Sequence, residues 1–226
     1  MTQVHEPGSL DLSAPSVAVA PMLLGATLAT GTGEDRVAVR IVEVEAYLGG
    51  DDPGSHAYRG RTARNATMFG PPGHVYVYRH LGLHHCVNLV CSPEGTATAV
   101  LLRAAEVIHG AELAWQRRLA AGVCRRSEDL ARGPARLAVA LGLVHADDGA
   151  DVVVHPGDRA PTGRCPDARA ATRQNLVLTP ASGPVAIRTG PRVGVSGVAG
   201  TDAYPWRYWI DGDPHVSDFR PGRGAP

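Results

Sequence analysis

A chain of 226 residues is long enough for one domain with a substantial buried core, and its composition, 44% hydrophobic and 19% charged, excludes an intrinsically disordered protein. Glycine (27) and proline (18) are both abundant, which favours many short elements joined by tight turns over a helical bundle. The 22 basic residues balance the 22 acidic ones, so no global basic field points to nucleic acid; all 22 are arginine, and without lysine only the N-terminal amine could form a Schiff base.

In chain order, residues 1–16 read as a flexible N-terminal arm. The first twenty residues carry Glu6 and Asp11 but no basic leader region, and the apolar stretch 17–24 is too short to span a membrane and contains Pro21. A cytoplasmic protein without membrane association is expected. A short helix is expected around residues 20–28. Residues 37–48 alternate as a strand, with Val37, Val39, Ile41, Glu43, Glu45 and Tyr47 on one face and Val42, Val44, Ala46 and Leu48 on the other. Residues 49–73 form a long, polar, glycine-rich segment of the kind that is functional or disordered.

Residues 74–79 alternate again, with Tyr76 and Tyr78 on one face. Leu81-Gly82 then supplies a turn, and residues 83–91 run back as the second arm of a hairpin. Another strand covers 96–102 and ends at Arg103. Helical spacing marks 111–121, with Gly122 as its cap, and Gly133-Pro134 opens a second helix that Gly142 stops after Leu141. Residues 152–155, 185–188, 192–195 and 208–211 read as short strands, and 219–226 as a C-terminal tail. The whole suggests one domain over 17–218, dominated by strands.

Three clusters could carry chemistry. Glu43 and Glu45, two residues apart on a strand, point the same way and suit acid–base work; the plainer reading is a solvent-facing strand face. His80, His84, His85 and Cys86 are the densest set of metal-binding side chains, but Gly82 and the alternation around it argue for polar hairpin residues. Tyr47, Tyr76 and Tyr78 could build a stacking platform for a base or could simply pack in the core. The four cysteines (Cys86, Cys91, Cys124 and Cys165) lack CxxC spacing and read as buried thiols. Neither GxxxxGK[ST] nor GxGxxG occurs, and a GxSxG nucleophile elbow is missing, which removes most support for phosphoryl transfer and serine hydrolysis.

The segment Ile41-Val42-Glu43-Val44-Glu45-Ala46-Tyr47-Leu48, followed by Ser55-His56-Ala57, Arg64-Asn65, Met68-Phe69 and Tyr76-Val77-Tyr78, resembles the alkyladenine (3-methyladenine) DNA glycosylase family. Asn88, Leu101-Leu102-Arg103, Gly133-Pro134, Arg192-Val193-Gly194-Val195 and Pro205-Trp206-Arg207 continue the match in order. The resemblance implies an α+β domain whose curved, largely antiparallel, partly barrel-like sheet carries a few packed helices, as in the C-terminal domain of methionyl-tRNA formyltransferases. It implies a monofunctional glycosylase of base excision repair, acting on double-stranded DNA with a damaged purine. It calls for no cofactor, no metal and no obligate protein partner, and for a monomer.

By the same resemblance, Glu45 would activate the attacking water and Arg103 would help place that water and keep Glu45 ionised. Tyr47, His56 and Tyr78 would sandwich and hydrogen-bond the flipped base, and Asn88 would disfavour the amine of normal guanine from the pocket floor. Familiar members of the family carry a tyrosine wedge at the hairpin tip where this chain has Leu81, and an apolar leucine can still part base steps. Arg64, Arg79 and His80, with Arg59, Arg61 and Arg136 as further candidates, would face DNA. Competing readings are a non-catalytic module that binds damaged nucleic acid, a metal-dependent hydrolase built on His80, His84 and His85, and, from the fold likeness, an RNA-binding domain.

Overall fold

The two longest β-rich runs of the chain pair with each other at the centre of the structure, a computed structural model that describes residues 2–6, 8–155 and 176–224. They are β3 (Val37–Tyr47) and β6 (Thr98–His109). Around them lie β1 (Gln3–His5), β2 (Thr27–Thr30), β4 (Val75–His80), β5 (His84–Cys91), β7 (Val152–Val154), β8 (Leu176–Thr179), β9 (Val185–Gly190) and β10 (Arg207–Ile210). The described residues also contain three α-helices, α1 (Ser16–Met22), α2 (Ala111–Ala121) and α3 (Pro134–Leu141), and several short 3-10 turns. Both α2 and α3 match the sequence expectation, with Gly122 and Gly142 at their C-terminal caps.

One sheet runs β1-β9-β10-β3-β2-β8-β7, and from β3 it branches through β6 to β5 and β4. All pairings are antiparallel except β7 with β8. The expected α+β architecture is therefore present; among the described residues the sheet does not close into a barrel. Strand β3 organises it. One of its edges pairs with β6 along most of its length, and the other is divided between β2, against residues 37–40, and β10, against residues 43–45. Helices α1 and α3 pack on β3, β5 and β6 and bury the main core.

The β3–β6 ladder is irregular around Glu43, where the register shifts between Ile41 and Glu43 and again between Glu43 and Val44. The core side changes parity across this point. Val37, Val39 and Ile41 face the core before it and Val44 and Ala46 after it, and on β6 the core set passes from Val100 and Leu102 to Ala105. Strict alternation had put Glu43 and Glu45 on the face of Val37, Val39 and Ile41; the bulge turns them away from it. Nor is the glutamate face wet: both carboxylates are fully buried.

Other expectations also change. The helix expected over 20–28 begins at Ser16 and ends at Met22, because Gly25 takes a left-handed φ of 82° and Leu28 enters β2. Residues 192–195 form no strand: the Val193 amide donates to Glu45 and that of Gly194 to the Arg220 carbonyl, so neither joins a ladder. That same bond, with one from Gly197 to Arg223, lays residues 219–224 along this segment. Residues 3–5 of the expected arm pair with β9 as β1. Cys86, Cys91 and Cys124 are free, buried thiols, and Cys165 lies outside the described residues.

Gly49 ends β3 and turns the chain into the 49–73 segment. Its φ is +61°, and a Cβ there would stand 2.7 Å from the Ala97 carbonyl oxygen. Gly49→Ala is therefore expected to cost about 1–3 kcal/mol, read as a lower midpoint in urea unfolding; an unchanged midpoint would contradict this account of the turn.

Candidate active site

Register alone assembles the centre of the site. Tyr76 on β4 faces Asn88 on β5, Asn88 faces Leu101 on β6, Leu101 faces Glu45 on β3, and Glu45 faces Arg207 on β10. Cross-strand neighbours lie about 4.5–5.5 Å apart, so one row of side chains crosses five strands. Its first four members line a cavity of about 410 Å³, within the roughly 300–1,000 Å³ of small-molecule pockets.

Glu45 is fully buried at this cavity and accepts from two neutral donors. Tyr47 Oη donates to Oε2 at 2.9 Å and the Val193 amide to Oε1 at 2.7 Å. Arg103 brings Nη1 within 3.4 Å of Oε1. The same guanidinium donates from Nε to Glu43 Oε1 at 3.0 Å and from Nη2 to Ser217 Oγ at 3.2 Å. Glu43 also takes Arg207 Nε at 2.7 Å and the Ser217 amide at 2.8 Å. Two carboxylates thus meet two guanidiniums in a buried cluster with no net charge. Burial opposes the charge on Arg103, but Glu45 and Glu43 outweigh it and hold its pKa above the ordinary guanidinium value.

Aromatic rings form the walls. Tyr76 and Tyr78 stack with centroids 5.4 Å apart, and His56 meets Tyr78 edge-on at 4.6 Å. Tyr47 lines the cavity beside Glu45. Burial, reinforced by the Glu45 carboxylate, keeps the Tyr47 hydroxyl well above the usual phenol range, so it remains a donor. Burial likewise raises Tyr76 to about 12 and pushes up Tyr78 and the Cys86 thiol. For His56, burial and then the positive Arg64 depress the imidazole pKa, which leaves it neutral at pH 7. Asn88 donates Nδ2 to the Tyr76 carbonyl at 3.1 Å, which fixes its amide at the cavity wall.

The 49–73 segment is ordered by its own polar side chains. Asp52 accepts from the amides of Leu48 and Gly54, while Asn65 ties Thr62, His56 and Gly60 together. Met68 and Ala57 seat it on Tyr76 in a small second core. At the tip of the β4–β5 hairpin Leu81 is 80% exposed, with φ at +51°, and Leu83 donates its amide to the His80 carbonyl. Positive φ at both Leu81 and Gly82 is the sign a type I′ turn requires.

The structure brings Glu45, Tyr47, His56, Tyr78, Asn88, Arg103 and His80 to one cavity. Arg64 is exposed beside it, its guanidinium 5.9 Å from the Tyr78 ring. Arg79 is exposed and donates to His85 at 3.4 Å. Arg59 and Arg61 are exposed as well, whereas Arg136 pairs with Asp129. His80 and His84 face each other across the hairpin, yet among the described residues no three metal-binding side chains are close enough to share an ion. Sequence reasoning quoted Arg192 and Arg207 within the resemblance but gave them no role, and it missed Ser217 and the fully buried pairing of Asp52 with Arg192. Ser217 lies 174 positions from its partner Glu43, and no local signal in the chain announces such a contact.

The neutral state of His56 can be tested directly. NMR titration of the ring should give a midpoint beneath the usual histidine value of about 6.5, because burial and then Arg64 disfavour the charged ring; a midpoint above it would contradict the assignment.

Residues 11–214 match the model of a family described as methylpurine-DNA glycosylase. A protein of Streptomyces avermitilis named "Putative 3-methyladenine DNA glycosylase" is 54% identical over 206 residues, 91% of this chain and 88% of its own length. Proteins of the same name from Leifsonia xyli subsp. xyli and Mycobacterium tuberculosis are 49% and 45% identical, and each alignment covers more than nine-tenths of both chains. With this coverage and the cavity at its centre, the chain belongs to the methylpurine-DNA glycosylase family.

Proposed function

We propose that this protein is a monofunctional DNA glycosylase. It hydrolyses the N-glycosidic bond of alkylated or otherwise damaged purines swung out of duplex DNA and leaves an abasic site. The observation that carries this reading is Glu45, a buried carboxylate held by Tyr47, Val193 and Arg103 at the side of an aromatic-walled cavity. The relatives named for 3-methyladenine support the substrate class.

A base within a duplex is out of reach, so the nucleotide must leave the stack at a cost of a few kcal/mol. Damaged or mispaired bases cost less to extrude, which gives a first layer of selectivity. Stacking on Tyr47, His56 and Tyr78 recovers roughly 1–3 kcal/mol per base. Breaking the bond between C1′ and the purine nitrogen builds oxocarbenium character on the sugar, which a nearby carboxylate stabilises. The bond's electron pair leaves with the base. The water oxygen attacks C1′ and gives its proton to Glu45 while Arg103, fixed by Glu43, helps hold the water. A cationic alkylpurine departs neutral, whereas an uncharged purine needs a proton as it leaves.

Leu81, projecting from its tight turn, suits the gap left in the duplex, and Arg64, Arg79 and His80 suit the flanking phosphates. The chain has no lysine, so strand cleavage through a side-chain Schiff base is not available and the abasic strand stays intact.

Single-turnover excision from duplexes with 3-methyladenine, 7-methylguanine, ethenoadenine or hypoxanthine tests this reading. The parent should release at least one base without cutting the strand, and Glu45→Gln should slow release roughly 100- to 10,000-fold. Equal rates for the two proteins, or a borohydride-trapped adduct in good yield, would contradict the mechanism.

A further inference from the structure

Tyr47 lines the cavity, but Arg192 behind it does not. The Arg192 guanidinium sits over the Tyr47 ring, 4.6 Å from its centroid, and over Trp206 at 5.2 Å. It is fully buried. Both Nη atoms donate to Asp52, at 2.5 and 2.7 Å, and they also reach the carbonyls of Ala46 and Ala199. Nε finds no acceptor among the described residues. One face of Tyr47 is therefore occupied by a permanent positive charge, and the opposite face is the one left for a base.

A ring attracts cations through the negative potential of its π faces. A guanidinium on one face draws electron density toward itself and weakens the attraction of the other face for a second cation. Glu45, in the same cavity, pulls in the opposite sense and favours a positively charged base. Arg192 offsets that pull without touching the substrate.

Resting on the reading of Tyr47 as a wall for the flipped base, we infer that Arg192 is a specificity-determining residue: through the Tyr47 ring it lowers the preference for cationic alkylated purines and so brings uncharged damaged purines into range. Asp52 sets the strength of the effect, because its carboxylate cancels part of the buried charge. Loss of Asp52 alone should strengthen the bias against cations, and neutralising both partners should abolish it.

The test compares duplex affinities in a Glu45→Gln background, where the base is not released. The probes are duplexes carrying 7-methylguanine, which is cationic, or hypoxanthine, which is neutral, at one salt concentration. The Asp52→Asn/Arg192→Gln double variant should raise the 7-methylguanine to hypoxanthine affinity ratio roughly 2- to 30-fold. Asp52→Asn alone should lower it. A role limited to packing would weaken both duplexes together, and an unmoved ratio in folded variants would overturn the inference. If the double variant does not fold, Asp52→Asn decides the matter: a lowered ratio supports the inference, and an unchanged or raised one overturns it. Excision of 7-methylguanine by the chain with Glu45 intact tests the glycosylase reading separately, so the two failures can be told apart.

Discussion

Everything at the centre of this protein depends on a buried ion cluster in which Arg103 joins two carboxylates on one strand. Glu43 and Glu45 are both removed from water, and an isolated carboxylate in such a place would be very costly. Arg103 and Arg207 supply the two compensating charges, and amides from Val193 and Ser217 fill further acceptor positions. The division of labour follows from geometry. Glu43 is saturated by two guanidiniums and an amide, so it serves as the anchor. Glu45 takes the far end of Arg103, the Val193 amide and the Tyr47 hydroxyl, and of the two carboxylates it is the one that lines the cavity. Removing the anchor would leave Arg103 free to swing away from Glu45.

The fold supplies this arrangement with few parts. A bulge in the central ladder turns the glutamates away from the apolar core at the point where Arg103 leaves β6. A tight hairpin carries Tyr76, Tyr78 and Asn88 to the same cavity and ends in an exposed leucine. Segments from distant parts of the chain then close over the cluster: residues 49–73 bring His56 and Asp52, residues 192–195 bring an amide to Glu45, and Ser217 reaches Glu43 and Arg103. His56 comes from a loop, whereas the wall tyrosines and the catalytic carboxylate of our proposal stand on strands β3 and β4, which hold them as fixed parts of the site.

Much of this was legible in the chain. The β4–β5 hairpin followed from alternation and from Leu81-Gly82, and α2 and α3 followed from spacing with Gly122, Pro134 and Gly142. The resemblance around Glu45-Ala46-Tyr47 and Leu101-Leu102-Arg103 identified the side chains that the structure gathers at one cavity. Periodicity failed where the backbone leaves its ideal period: the bulge at Glu43 reverses the faces of β3, which no count of alternate residues reveals. It failed again at residues 192–195, where apolar character suggested a strand but the amides are used by a carboxylate and a distant carbonyl. Arg192 stands in a motif of the resemblance, but its contact with Asp52, like that of Ser217 with Glu43, is set by tertiary structure over more than a hundred residues, and a single sequence does not announce it.

In the proposed mechanism the Glu45 carboxylate faces the positive charge that develops on the sugar of an extruded nucleotide. Affinity for a duplex with a cationic pyrrolidine in place of the damaged nucleotide's sugar tests it most directly, because that ring copies the charge and lacks a base to leave. The parent is predicted to bind this duplex at least about tenfold more tightly than Glu45→Gln, a difference of about 1.4 kcal/mol, while the two bind undamaged duplex alike. Equal affinity of the two proteins for the pyrrolidine duplex would contradict the claim.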